Sequence, residues 1–193
     1  MNDIKNKIIL LALGLVFVLL LAGATLFYDE LSGQYSAADV VEQHTPQTED
    51  TSTKTVPAPD FTVVDGSGRE VHLSDFIGTP VVLNFWASWC GPCQSEMADF
   101  NEAAAQYDGQ VQFLMVNLTD GGRETVDVAS AFIAAKGYTF PVFFDTKYSA
   151  ASAYSVSGIP ATYFINAQGH IVARAVGALD RATLEKAIAM ITE

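Results

Sequence analysis

The chain has 193 residues, half of them hydrophobic, and carries a formal net charge of −12 with a pI near 4.4. Its 10 Lys and Arg residues form no basic stripe, so the composition argues against nucleic-acid binding. The excess of acidic residues is better interpreted as keeping the protein soluble. Two cysteines and three scattered histidines also argue against a structural zinc site, which needs about four Cys or His ligands.

An uncharged apolar run occupies residues 8–27, close to the N-terminus. At 1.5 Å per residue it matches the roughly 30 Å core of a bilayer. Lysines precede the run and acidic residues follow it, so we predict a single-pass anchor with residues 1–7 in the cytoplasm and the rest of the chain outside. A cleaved signal peptide is the alternative, because Ala22-Gly23-Ala24 is typical of a cleavage site.

Residues 28–57 are rich in Ser, Thr, Gln, Asp, Glu and Pro and have no apolar period, which is typical of a solvated linker. A flexible coil of this length reaches roughly 30 Å. We therefore predict that one domain, residues 58–193, is tethered close to the membrane. Its size is enough for an ordinary hydrophobic core.

The domain shows alternating strand and helix patterns bounded by turn residues. Predicted strands are 61–64, 70–73, 81–87, 111–118, 141–144, 162–165 and 171–176, and predicted helices are 91–107, 124–136, 147–154 and 180–191. Strands that alternate with helices and end in a hairpin predict an α/β fold with a central mixed sheet and helices on both faces.

Cys90 and Cys93 are the two cysteines of the chain, and they lie where strand 81–87 gives way to a helix. Side chains at i and i+3 in a first helical turn are neighbours roughly 5–6 Å apart, so a disulfide can join them. Cys90, at the helix N-terminus, is favoured as a thiolate and is the predicted nucleophile. Cys93, one turn further in, would resolve a mixed disulfide.

The residues around the cysteines suit redox exchange. Trp89 would flank the reactive sulfur, Gly91 leaves the backbone uncrowded, and Pro92 is tolerated in a first turn. The alternatives are a metal site, covalent haem, a copper carrier and a structural disulfide. Haem attachment needs His directly after the second cysteine, where Gln94 stands, and so short a structural loop gains little. We predict no metal and no cofactor.

Residues 85–93, Phe-Trp-Ala-Ser-Trp-Cys-Gly-Pro-Cys, are similar to the active-site segment of the thioredoxin superfamily. Within it the chain most resembles membrane-tethered thiol-disulfide oxidoreductases of the TlpA/ResA type. Residues 57–61, residues 158–162 and Glu96 carry the narrower resemblance. It implies a thioredoxin-like fold with an N-terminal β-hairpin and an inserted α-β unit, formed here by residues 124–144.

The segment around Pro160 resembles the cis-proline loop of that superfamily. The resemblance implies that the Ile159-Pro160 bond is cis. The backbone N–H and C=O of Ile159 would then lie beside the sulfurs, where an extended substrate segment could pair like an added strand. Ile159 and Pro160 are therefore predicted substrate-binding residues.

Two positions concern proton transfer. Asn84 stands where thioredoxins usually bury an aspartate under the second cysteine. Glu96 is then the candidate base for Cys93, with its pKa raised by partial burial and by the nearby thiolate. The alternative is a solvated glutamate that merely favours the helix dipole.

The resemblance implies an extracytoplasmic enzyme that exchanges disulfides with proteins. The Gly-Pro pair between the cysteines is that of reducing thioredoxins and favours a reductase. A membrane thiol transporter is the implied electron donor, and cytochrome c maturation and methionine sulfoxide reductase recycling are the implied pathways. The alternatives are a thiol oxidase or isomerase, and a non-catalytic redox-sensing module that binds thiols.

Overall fold

A computed structural model of the protein describes residues 56–193. Its strands are β1 (Val56–Pro57), β2 (Thr62–Asp65), β3 (Glu70–His72), β4 (Val81–Trp86), β5 (Gln112–Asn117), β6 (Val142–Phe144), β7 (Ala161–Ile165) and β8 (His170–Val176). They form one sheet in the order β1-β8-β7-β4-β5-β6-β2-β3. The neighbours β4, β5 and β6 are parallel and the other pairs are antiparallel, so the sheet is mixed, as predicted.

The helices are α1 (Gly91–Gln106), α2 (Val126–Lys136), α3 (Ser149–Ala153) and α4 (Arg181–Thr192), with a 3-10 turn at Leu73–Phe76. Helices α1, α2 and α4 contribute Phe100, Ala129 and Leu184 to the core on one face of the sheet. The other face packs against α3 and the 3-10 turn. Helices therefore cover both faces, unequally.

Strand β4 is the centre of the sheet, and all six of its residues are buried. Val82 and Trp86 belong to the core under α1, whereas Leu83 and Phe85 belong to the core on the opposite face. Each such apolar side chain contributes about 1.5–3 kcal/mol on burial. The strand is thus anchored from both sides, which fixes the position of the chain that leaves it towards Cys90.

The predicted hairpin and the alternation of strands and helices are confirmed, and two details differ. Strand β1, which pairs antiparallel with β8, was not predicted, because two residues are too few to show a hydrophobic period. Helix α2 begins at Val126 rather than at residue 124. Thr125 is its N-cap, and the Thr125 hydroxyl accepts the N–H of Val128 at 3.2 Å, because threonine satisfies a free helical N–H at this position.

Several predictions concern residues outside the described range. They are the cytoplasmic segment 1–7, the anchor 8–27 and the linker 28–57 apart from its last two residues. Within residues 56–193, no helix combines the length and the hydropathy that a membrane span requires.

Candidate active site

The two cysteines form a disulfide at the N-terminus of α1. Their sulfur atoms are 2.07 Å apart and their Cα atoms 5.2 Å apart. Cys90 is the N-cap residue, and its sulfur accepts the N–H of Cys93 at 3.2 Å. Cys90 is 5% exposed whereas Cys93 is fully buried, so Cys90 is the more exposed of the two cysteines.

The loop before β7 lies against this sulfur. The Ile159-Pro160 peptide bond is cis, as the resemblance implied, and the Cys90 Sγ lies 3.7 Å from the Ile159 carbonyl oxygen. The Pro160 carbonyl accepts the N–H of Gly177, which ties the loop to the end of β8. Ile159 thus offers its backbone beside the disulfide, where the sequence predicted it.

The residues next to the cysteines occupy the predicted places. Trp89 is 44% exposed, and Gly91 and Pro92 are exposed at the start of α1. Nothing lies within 4 Å of the point where Gly91 would carry a Cβ. Trp86 is fully buried beneath the loop, with its ring 6.0 Å from that of Phe132. A partner therefore meets an open surface above the sulfurs and a packed base below them.

Glu96 is buried on the inner face of α1. One carboxylate oxygen accepts the Asn84 Nδ2 at 2.8 Å, and the other accepts the N–H of Leu179 at 2.8 Å. Burial raises the pKa of Glu96 to about 7, against the opposing effect of these two hydrogen bonds. Cys93 lies three residues earlier on the same face of the helix, so a group that titrates near neutrality is its neighbour.

Asn84 positions this carboxylate from β4. Its Nδ2 also donates to the Thr162 hydroxyl at 3.0 Å, while its Oδ1 has no hydrogen-bond partner among residues 56–193. Asparagine cannot accept a proton from Cys93. Its contribution is to hold Glu96 in one orientation, and Glu96 is left as the titrating group at this point of the core.

A second buried carboxylate, that of Glu124, binds the segment between β4 and Cys90. It accepts the backbone N–H of Ser88 at 2.7 Å, the Ser88 hydroxyl at 2.6 Å and the Asn117 Nδ2 at 2.6 Å. The Ser88 carbonyl accepts the Gln94 side-chain amide at 2.6 Å. Every polar group of Ser88 is therefore bonded, two positions before Cys90.

Glu124 was not among the predicted site residues, because the predicted helix 124–136 has it in the first turn. Thr125 was the signal, since threonine is a better N-cap than the arginine before Glu124. With the helix starting after Thr125, Glu124 falls in the loop that follows β5 and is free to turn inward. Its hydrogen-bond partners, Ser88 in the loop after β4 and Asn117 at the end of β5, could not be read from local pattern.

Residues 55–174 match the AhpC/TSA family. The chain is 35% identical over 130 residues to the thiol-disulfide oxidoreductase ResA of Geobacillus kaustophilus (strain HTA426), an alignment that covers 67% of this chain and 72% of that protein. The chain belongs to the ResA-type thiol-disulfide oxidoreductases.

Solved structures agree with this assignment. The structure described as the thiol:disulfide interchange protein DsbE from Chlorobium tepidum has 34% identity and a TM-score of 0.65, over 72% of this chain and 97% of that one. The exposed lipoprotein thioredoxin Etrx1 from Streptococcus pneumoniae strain TIGR4 has 27% identity and a TM-score of 0.58, over 67% and 98% of the two chains. This ResA-type protein therefore exchanges thiols and disulfides, and its Cys90–Cys93 disulfide is the pair available for that exchange.

Proposed function

We propose that this ResA-type protein is a membrane-tethered, extracytoplasmic reductase of protein disulfides. The observation that carries the proposal is the combination of two features at the start of α1: Cys90 is the more exposed of the two cysteines, and a buried carboxylate, that of Glu96, lies one turn beyond Cys93. A reductase needs both, because its first thiol must reach the substrate and its second must lose a proton to release it.

In the proposed reaction the Cys90 thiolate attacks one sulfur of the substrate disulfide. A mixed disulfide forms and the first substrate thiolate leaves. Glu96 then accepts the proton of the Cys93 thiol. The Cys93 thiolate attacks the Cys90 sulfur, which breaks the mixed disulfide and releases the second substrate thiolate. Two electrons pass to the substrate, and the Cys90–Cys93 disulfide is restored.

Substrate would bind as an extended segment along the loop before β7. The Ile159 carbonyl lies beside the Cys90 sulfur, and the Ile159 N–H has no hydrogen-bond partner within residues 56–193. Backbone pairing at this point requires no particular side chains. We therefore assign Ile159 and Pro160, together with the exposed Trp89, Gly91 and Pro92, to substrate binding.

Electrons outside the cytoplasm have to cross the membrane, so we propose a membrane thiol transporter as the donor. A reductase of this kind would serve cytochrome c maturation or the recycling of a methionine sulfoxide reductase. Its protein substrates would share an accessible disulfide rather than a sequence motif.

The membrane tether itself is a proposal from the apolar run at residues 8–27 and the charges that flank it. The description of Etrx1 as an exposed lipoprotein supports an extracytoplasmic domain. We expect the full-length protein to stay in the membrane after high-salt and carbonate washes, with its domain open to protease from outside. A soluble mature form that begins near Thr25 would contradict the tether.

The reduction potential of the Cys90/Cys93 couple tests the direction of electron flow. We expect a value close to roughly −270 mV, that of thioredoxin, because the Gly-Pro pair between the cysteines is shared with reducing thioredoxins. The measurement is the equilibrium of the domain from Pro57 onward with a dithiol buffer, read as the ratio of reduced to oxidised protein.

A potential above roughly −180 mV would contradict the reductase and favour an oxidase or isomerase. Absence of turnover with a dithiol donor and a protein disulfide would instead favour a non-catalytic redox-sensing module. The two outcomes are separate, because the first concerns an equilibrium and the second a rate.

A further inference from the structure

We propose that Arg123 selects protein disulfides that are flanked by Asp or Glu. The guanidinium carbon of Arg123 lies 4.3 Å from the centre of the Trp89 ring, and Trp89 directly precedes the nucleophilic Cys90. The proposal deepens the proposed function, since it names the substrate class for the same site. It depends on exchange at Cys90 and not on the direction of electron flow.

The loop that carries Arg123 is fixed at both ends. The Asp120 carboxylate accepts the N–H of Gly122 at 2.7 Å and the N–H of Glu124 at 2.9 Å. The Glu124 side chain is anchored in the core by Ser88 and Asn117. Arg123 stands between these anchors, so its backbone position is set before any substrate arrives. Little ordering of the loop then opposes binding.

The contact with Trp89 leaves the charge of Arg123 available. The guanidinium lies over the Trp89 ring at 4.3 Å from its centre, a contact that uses the face of the ring and forms no hydrogen bond, so the N–H donors of Arg123 stay available to the two oxygens of a carboxylate. Trp89 is 44% exposed and Arg123 is exposed as well. An acidic side chain near the target disulfide can therefore bind Arg123 while its sulfur approaches Cys90.

Arg123 is a positive charge on a protein that is acidic as a whole. Asp and Glu outnumber Lys and Arg by 22 to 10 in the chain. Arg69, Lys147 and Arg181 form ion pairs with carboxylates of the domain. Arg123 forms no ion pair within 4 Å among residues 56–193, and its attraction to Asp120 in the same loop acts over a longer distance. It therefore offers an attractive charge beside the nucleophile on an otherwise acidic protein.

Two synthetic peptides, each with one intramolecular disulfide, test the proposal. They are identical except that two Glu flank the disulfide in one and two Gln flank it in the other. We expect the reduced wild-type protein to exchange with the Glu peptide about fivefold faster at low ionic strength, the size of one favourable surface ion pair. At about 1 M salt the two rates should converge, because the screening length falls to about 3 Å.

Variants separate the charge of Arg123 from its packing. Arg123→Gln should lower the ratio of the two rates towards one, and Arg123→Glu should favour the Gln peptide. Lys136→Gln is the matched control, because Lys136 also lies over an aromatic ring, that of Phe132, at the far end of α2. It should keep the wild-type ratio. Equal rates for the two peptides in the wild type, or an unchanged ratio in Arg123→Glu, would overturn the proposal.

A further measurement separates the two hypotheses, that the protein is a reductase and that Arg123 selects acidic substrates. Thiol-disulfide exchange is reversible, so the same ratio can be measured with the oxidised protein and the two dithiol peptides. A strong preference in that direction, with slow reduction of both disulfides, would contradict the reductase and support the role of Arg123.

Discussion

Replacing Cys93 with serine is expected to convert the protein into a trap for its substrates. The Cys90 thiolate can still attack a disulfide, but the thiol that frees the substrate is missing, so the mixed disulfide persists. Catalytic turnover should be essentially lost, while covalent complexes accumulate towards one per protein molecule. Non-reducing electrophoresis of the variant, after incubation with a protein disulfide, measures both.

Cys90→Ser is the matched control for the trap. It removes the more exposed cysteine and leaves the fully buried Cys93, so we expect almost no covalent complex. Capture by Cys90→Ser that equals or exceeds capture by Cys93→Ser would reverse the assigned roles of the two cysteines.

Replacing Glu96 with glutamine is expected to slow release of substrate from the mixed disulfide by about 10²-fold or more, the usual size of a lost general base. The fold should survive. A glutamine keeps one oxygen for the Leu179 N–H, and its amide can donate to the Asn84 Oδ1, which has no partner among the described residues, once the Asn84 amide turns over. Single-turnover kinetics of the preformed mixed disulfide measure the loss.

A second readout of Glu96→Gln distinguishes a base from a packing residue. A carboxylate near the sulfurs disfavours a thiolate, so the variant should show a lower thiol pKa than the wild type. Glu102→Gln, an exposed position on the same helix, is the control and should change neither quantity. Unchanged thiol titration together with unchanged release would remove Glu96 from the mechanism.

The same carboxyl group also links folding to pH. Its pKa is about 7 in the folded protein and 4.5 as the ordinary value, so between these pH values the folded state binds the extra proton. The free energy of unfolding should therefore fall as pH rises through this window, by roughly 3 kcal/mol in total, and level off above it. Chemical denaturation of Glu96→Gln at several pH values should lack this contribution.

The order of strands and helices could be predicted because each element has a clear hydrophobic period and a turn residue at its end. Strand β1 could not, since a two-residue strand is defined by its partner β8 rather than by its own sequence. The start of α2 was placed two residues too early because the N-cap preference of Thr125 was not used, whereas the inward turn of Glu124 depends on hydrogen bonds to Ser88 and Asn117.

At the site, the cysteines and Pro160 could be predicted because their spacing or context is specific. Partial burial of Glu96 was predicted, with a solvated glutamate as the alternative, and the structure buries it almost completely. Its hydrogen bond to Leu179 was not predicted, since Leu179 is 83 residues away in sequence. Ser88 and Arg123 were not singled out for the same reason. Their positions depend on contacts between loops at the ends of different strands, which no local pattern encodes.

Through the hydrogen bond between Leu179 and Glu96, the connection from β8 to α4 influences the pKa of a carboxyl group one turn beyond Cys93. The amide of Leu179 directly precedes Asp180, the N-cap of α4, and it stabilises the ionised form of Glu96. Substitutions that redirect this amide would raise the pKa of Glu96 further without contacting either sulfur. The pKa of Glu96 therefore depends in part on residues before α4, which lie far in sequence from the two cysteines.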